Sequence, residues 1–304
     1  MLFRSFNPER DWEAEPPLPL LDRGEVERRL GVSGVALELL GGGLRNLNVR
    51  VGSERVLRIY RGGGVQAATA TAAKEAALLA RGWRSFRVPS LVAAGDDFLV
   101  LEHVAHGPLP AAAEHGAAVG CALAEIHAVR FASAGFLAAD LSVPHPMVDP
   151  LASLYDYAFA LAPRLEAAYG GELMARLLAL LDDKEADLRA LTGSPVLLHA
   201  DFKVNNLHWT RDQRLLVLDW EFAWSGPPLL DVGQLLRWDP PPEFTRAFAR
   251  SYRQHGGQLP DGWERWAALF DLFNLVGSVE RSLPAPRRRE DTRRRLVATI
   301  QWLR

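Results

Sequence analysis

The run His199-Ala-Asp201-Phe-Lys203-Val-Asn-Asn206, followed by Leu218-Asp219-Trp220-Glu221, brings together residues suited to one kind of chemistry. Transferring a phosphoryl group from a magnesium nucleotide needs a carboxylate to orient a hydroxyl and take its proton. It also needs a carboxylate and an amide oxygen to hold the metal on the phosphates. Asp201 has the type for the first task, and Asp219 and Asn206 for the second. Lys203, two positions past Asp201, is a cation placed to neutralise charge on a transferring phosphoryl group. Leu207–Thr210 and Leu215–Leu218 are apolar runs separated by Arg211-Asp-Gln-Arg214 and read as a hairpin, which would return Asp219 to the side of Asn206. Turn chemistry alone accounts for many Asp and Asn pairs in loops. It does not account for the added Lys203, the hairpin and the second carboxylate.

The surrounding elements are read from periodicity. Asp22–Leu30 suits a short helix capped by Asp22 and stopped by Gly31. Val35–Leu40, Leu47–Val51 and Arg55–Tyr60 read as strands, Ala67–Arg81 as an alanine-rich helix, and Ser90–Ala94 with Phe98–His103 as a further strand pair. After His106-Gly-Pro108 nearly everything outside the hairpin has helical spacing: Ala111–Val129, Leu151–Tyr169, Glu172–Leu191, Thr245–His255, Trp263–Leu283 and Arg288–Trp302. The expected fold class is α+β with two lobes, a small antiparallel sheet with one main helix over residues 1–103 and a larger, mainly helical lobe over 104–304.

Gly41-Gly-Gly43, just before the second strand, is suited to cradling phosphates through backbone N–H groups, and equally to a simple hairpin turn. In the third strand Val56, Arg58 and Tyr60 share one face, with Leu57 and Ile59 on the other. An inward Arg58 needs a carboxylate, since an unpaired buried charge is costly, and Glu75 is the nearest candidate in the helix that follows.

Together these segments resemble the aminoglycoside phosphotransferase and choline kinase family, a small-molecule branch of the protein-kinase-like fold. His199–Asn206 with Asp219 is similar to that family's catalytic and metal-binding loops, Leu40–Asn48 to its nucleotide loop and Arg55–Tyr60 to its third strand. Lys74-Glu75 resembles the Glu-bearing helix, Val100-Leu-Glu102-His103 the hinge between lobes, and Pro227–Asp231 the stretch after the metal-binding strand. The resemblance implies ATP and Mg2+ as cofactors, with Gly42, Gly43, Asn46, Arg58, Glu75 and Glu102 at the nucleotide and Asn206 and Asp219 at the metal. It implies an architectural His199 under the loop. Arg58 departs from the lysine usual in kinases, keeping the charge and adding a two-pronged fork. Glu221 is open between a second metal ion and a strand-end cap, and Asp231 is expected to tie down the catalytic loop.

The implied reaction is transfer of the ATP γ-phosphate to a hydroxyl of a small molecule, with aminoglycoside-, choline-, sugar- and homoserine-like acceptors all open. A protein Ser/Thr kinase is the first alternative. Against it, Asp231 follows Asp219 by only twelve positions, no Ala-Pro-Glu occurs, and Asp219 is followed by Trp-Glu. A nucleotide-binding pseudokinase is the second, countered by the complete set of base, metal ligands and phosphate-binding cation. Acidic residues of the Trp263–Leu283 segment, among them Glu264, Asp271 and Glu280, could receive a polyamine or simply face solvent.

Bulk properties narrow the partners. A net charge of −2 gives no electrostatic case for nucleic acid. The Arg287–Arg289 and Arg293–Arg295 clusters read as a solvated helix face. No apolar run approaches a membrane span, the charged first residues do not suit a secretory signal, and Cys121 is the only cysteine. A cytoplasmic protein is the expectation.

Overall fold

The computed structural model describes residues 22–31, 33–40, 46–61, 68–279 and 285–303. Gly42 and Gly43 lie outside the described residues, as does Glu280.

Five antiparallel strands form the first sheet: β1 (Leu37–Leu40), β2 (Asn46–Val51), β3 (Arg55–Tyr60), β4 (Leu91–Ala94) and β5 (Phe98–Glu102), in the order β1-β2-β3-β5-β4. Central strand β3 has both faces covered. Leu57 and Ile59 pack with Leu47, Val49, Val51 and Val100 under Val26 of helix α1 (Arg23–Leu30). Arg58 and Tyr60 alternate to the opposite side, where helix α2 (Ala68–Leu79) packs on the sheet. Period-two alternation thus buries an arginine at the centre of the sheet, where only neighbouring carboxylates make it tolerable.

Beyond residue 103 the chain is mainly helical, with α3 (Ala113–His127), α4 (Pro150–Tyr169), α5 (Gly171–Asp183), α6 (Glu185–Leu191), α7 (Leu229–Leu236), α8 (Pro242–Gln254), α9 (Trp263–Gly277) and α10 (Pro286–Leu303). The expected single helix Glu172–Leu191 is two helices, because the chain leaves helical geometry at Lys184 (φ −104°, ψ 6°). Two small sheets interrupt the helices. His106–Pro108 is a strand (β6) that pairs with the expected hairpin β9 (Leu207–Thr210) and β10 (Leu215–Val217). The second is β7 (Gly135–Phe136), β11 (Trp224–Gly226) and β8 (Val196–Leu198).

Helix α7 is buried from Leu229 to Leu235, including Asp231 and Gln234. Gly233 lets it lie directly on α9, since a Cβ at that position would collide with the Ala267 carbonyl. Gly116 does the same for α3 against α8 at the Phe244 carbonyl. The C-terminal arginines are not all solvated: Arg295 stacks over Trp238 at 3.8 Å and donates to the Arg237 carbonyl. No helix among the described residues is long and apolar enough to cross a membrane.

Candidate active site

Strand β8 delivers the chain into His199-Ala200-Asp201, and Ala200 adopts φ 62°, an uncommon conformation for a residue with a side chain. Asp231 and Gln234 of α7 hold it there. The Asp231 carboxylate accepts the backbone N–H groups of His199 and Ala200, both at 2.8 Å. Gln234 accepts from the Phe202 N–H at 2.8 Å and donates to the Ala200 carbonyl at 2.9 Å. Local strain of this kind persists where several contacts over-determine it. His199 is fully buried and architectural: its Nε2 lies 2.9 Å from the Leu218 carbonyl, which can only accept, so Nε2 carries the proton and Nδ1 receives the Asp201 N–H at 3.3 Å.

Asp201 and Lys203 emerge from this loop, with side chains 16% and 17% exposed and Nζ 3.3 Å from Oδ2. The hairpin then returns the chain as its sequence requires. Leu207 pairs with Val217, and the Leu218 N–H donates to the Asn206 carbonyl at 3.0 Å, setting Asp219 beside Asn206. Asn206 directs both bonds of its Nδ2 to Asp201, one to the backbone carbonyl and one to Oδ2, each at 2.8 Å. Its Oδ1 therefore faces away from Asp201. Asp219 itself sits in the left-handed region (φ 70°, ψ 63°) ahead of a 3-10 turn, Trp220–Phe222.

A cluster of charges joins the lobes at Asp219. Arg58, 8% exposed, donates through Nη2 to Asp219 Oδ1. Its Nε lies 3.5 Å from Glu75 without a hydrogen bond, and Nη2 lies 3.9 Å from Glu221. The expected Arg58–Glu75 partnership is thus an ion pair, and the direct contact of the guanidinium is with Asp219. The Glu75 carboxylate takes its hydrogen bond from the Tyr60 hydroxyl. Burial opposes the charge on Arg58, but Glu75 and Asp219 outweigh it and hold the guanidinium pKa well above its ordinary value. Asn46 of β2 donates to Glu221 at 2.8 Å. Burial, reinforced by the Asp219 charge, pushes the Glu221 carboxyl up to about 7.

Two contributors escaped the sequence reading. Lys74, read there only as part of the segment around Glu75, is 2% exposed and donates to the carbonyls of Glu221 and Ala223. Burial pulls its ammonium down to about 8. Trp220, fully buried, stacks on Trp83 at 5.3 Å and lies 4.7 Å from the His199 ring, tying the turn after Asp219 to the His199–Asn206 loop. A tryptophan placed directly after the second Asp was the available signal.

Glu102 does not join the cluster through its side chain. The carboxylate accepts from Arg87 at 3.0 Å and from the Ser90 hydroxyl at 2.9 Å, bracing β5 against the start of β4. Asp271 is likewise committed, receiving Arg237 Nε at 2.7 Å and Nη2 on its two oxygens, which removes it from any polyamine pocket.

The donor set at Asp219 suits magnesium: a carboxylate, and an amide whose NH2 is turned away so that its oxygen faces outward. Among the described residues no group of three or more His, Cys, Asp or Glu forms a self-sufficient metal cage. An ion held here would complete its shell with phosphate and water oxygens.

A five-stranded antiparallel sheet with one packed helix, joined to a mainly helical lobe, is the protein-kinase-like fold. The chain belongs to the phosphotransferase enzyme family, whose model matches residues 36–269. Comparison with curated protein sequences gives no match. Solved structures share the fold at low identity. The aminoglycoside phosphotransferase APH(2'')-IIa, solved with streptomycin and ATP, superposes with a TM-score of 0.65 at 18% identity, covering 94% of this chain and 97% of that one. A putative fructosamine-3-kinase from Thermobifida fusca gives 0.68 at 20% identity, with 92% and 98% covered. The macrolide 2'-phosphotransferase MphH from Brachybacterium faecium gives 0.65 at 19% identity, with 90% and 96% covered.

Proposed function

We propose that this phosphotransferase moves the γ-phosphoryl group of ATP to a hydroxyl of a small molecule, with Asp201 as the base. The observation that carries the reading is the convergence of Asp201, Asn206 and Asp219, which one hairpin and one amide side chain hold together. Asp201 orients the acceptor hydroxyl and takes its proton as the oxygen attacks γ-phosphorus and the bond to the β-phosphate oxygen breaks, releasing ADP. Lys203 stabilises charge on the transferring group, and Arg58 faces the α- and β-phosphates from the sheet. Asp219 and Asn206 would hold Mg2+, which neutralises phosphate charge when bound. Asn46 contributes by fixing Glu221 beside that site. Glu102 is left with its backbone for the nucleotide, at the hinge where we place the division between nucleotide lobe and acceptor lobe, residues 103 and 104.

A peptide acceptor is disfavoured. Asp231, twelve positions after Asp219, already belongs to buried α7, leaving no chain for a peptide-docking segment. The pseudokinase reading is disfavoured because Asp201, Asn206, Asp219, Lys203 and Arg58 supply the residue types that a base, metal ligands and phosphate-binding cations require. Aminoglycoside-, choline-, sugar- and homoserine-like acceptors are the classes to test, and a reducing cytoplasm with ATP is the setting that suits them. Incubation with a panel of these acceptors, read by acceptor-dependent ADP release, is the experiment. Release with one class identifies the acceptor; no release with any, at saturating ATP and magnesium, overturns the proposal.

A further inference from the structure

Lys74 places a charge where a charge is expensive. It sits on α2 beside Glu75, 2% exposed, and its ammonium donates to the carbonyls of Glu221 at 2.9 Å and Ala223 at 3.0 Å. The charges of Glu75 and Glu221 partly offset its desolvation. An apolar side chain of similar length would fill this volume without that penalty, so packing alone does not account for an ammonium. The two carbonyls it holds lie in and just after the Trp220–Phe222 turn, whose preceding residue is Asp219 in the left-handed region. Asp tolerates this sparsely populated region better than most residues, and contacts on the turn that follows bear on whether it is kept.

We propose that Lys74 is a positioning residue for phosphoryl transfer: by gripping the Glu221 and Ala223 carbonyls it locks the turn that aims the Asp219 carboxylate, and so makes the metal site depend on the placement of α2. The role rests on the reading of Asp219 as the magnesium ligand. Helix α2 then acts on both members of the Arg58–Asp219 contact, through Glu75 on one and through Lys74 on the other. Any displacement of α2 shifts cation and carboxylate together.

The test compares wild type with Lys74→Met, which keeps the stem and removes the ammonium, and Lys74→Arg, which keeps a donor. Lys74→Gln serves if the Met variant is insoluble. Hydrogen exchange without ligand reads the turn directly, and calorimetry with a non-hydrolysable ATP analogue, with and without magnesium, reads the site. In Lys74→Met, exchange at residues 219–224 accelerates while the rest of the chain keeps its protection. The gain in nucleotide affinity from magnesium falls about 10–100-fold, the usual scale for a group that orients a metal ligand. Affinity without magnesium is unchanged, Lys74→Arg recovers much of the loss, and in an Asp219→Asn background Lys74→Met has no further effect. A normal magnesium gain with normal exchange at the turn overturns the role of Lys74, as does a loss of protection spread evenly over the chain. A wild-type protein without magnesium-dependent nucleotide binding overturns the reading of the site itself, and this role with it.

Discussion

The guanidinium of Arg58 rests on the carboxylate of Asp219, so the cation expected to meet the nucleotide phosphates touches the carboxylate expected to hold their metal. Glu75 stands 3.5 Å behind, close enough to attract Arg58 but without a hydrogen bond. Arg58→Ala and Glu75→Gln should each raise the KM for ATP. The double variant should fall short of the summed losses by about 1 kcal/mol or more, because the two act as one unit. Arg58→Lys should retain part of the activity, a point charge replacing the fork. Strictly additive KM effects would show that Glu75 does not act through Arg58.

Asp201 accepts Asn206 Nδ2 through Oδ2, and an Asn at 201 still offers an oxygen there. Asp201→Asn should therefore keep the loop in place and lower kcat by roughly 10²–10⁴-fold, the scale of losing a general base. Nucleotide affinity, measured by titration, should barely change. Near-normal turnover would remove Asp201 from the proton transfer.

Asp219→Ala should abolish turnover and leave nucleotide affinity indifferent to magnesium. Asn206→Ala should weaken the magnesium effect less, since a neutral amide oxygen attracts the ion less than a carboxylate does. It should nonetheless lower kcat as well, because Asn206 also holds Asp201. Calorimetric titration at several magnesium concentrations separates these outcomes.

His208, on β9 beneath the hinge, packs its ring 4.1 Å from that of His106 and has no hydrogen bond at Nδ1. Burial, with the neighbouring His106, pulls its pKa from 6.5 down to about 4. The unfolded chain therefore takes up a proton at this position before the folded one does. Stability from this residue is complete above pH 6.5 and is lost as pH falls toward 4, by at most about 3 kcal/mol. His208→Asn should flatten that acid branch in denaturant unfolding measured across the window. An unchanged slope would mean that the ring is protonated in the folded protein.

The parts of the site that sequence made legible are those encoded by local pattern. Asp201, Asn206 and Asp219 are linked by a hairpin announced by two short apolar runs around a polar turn, and strand period placed Arg58 on the face of β3 shared with Val56 and Tyr60. What stayed hidden depends on distant packing. Strands β7, β8 and β11 are two or three residues long, too short to show alternation. The Lys74 contacts span 147 and 149 positions, and nothing in a helix built on alanine announces that its lysine points inward. The direction of the Glu102 side chain was hidden too, because position at the hinge says nothing about which way a side chain turns, and Arg87 with Ser90 decides it.

Asp231 accepts the His199 and Ala200 amides while His127 Nε2, itself bonded to Tyr252 of α8 through Nδ1, lies 3.3 Å from the same carboxylate. One carboxylate thus ties the loop that carries Asp201 to three helices at once, so a substitution at the Tyr252 end of this chain of contacts reaches the loop without touching it.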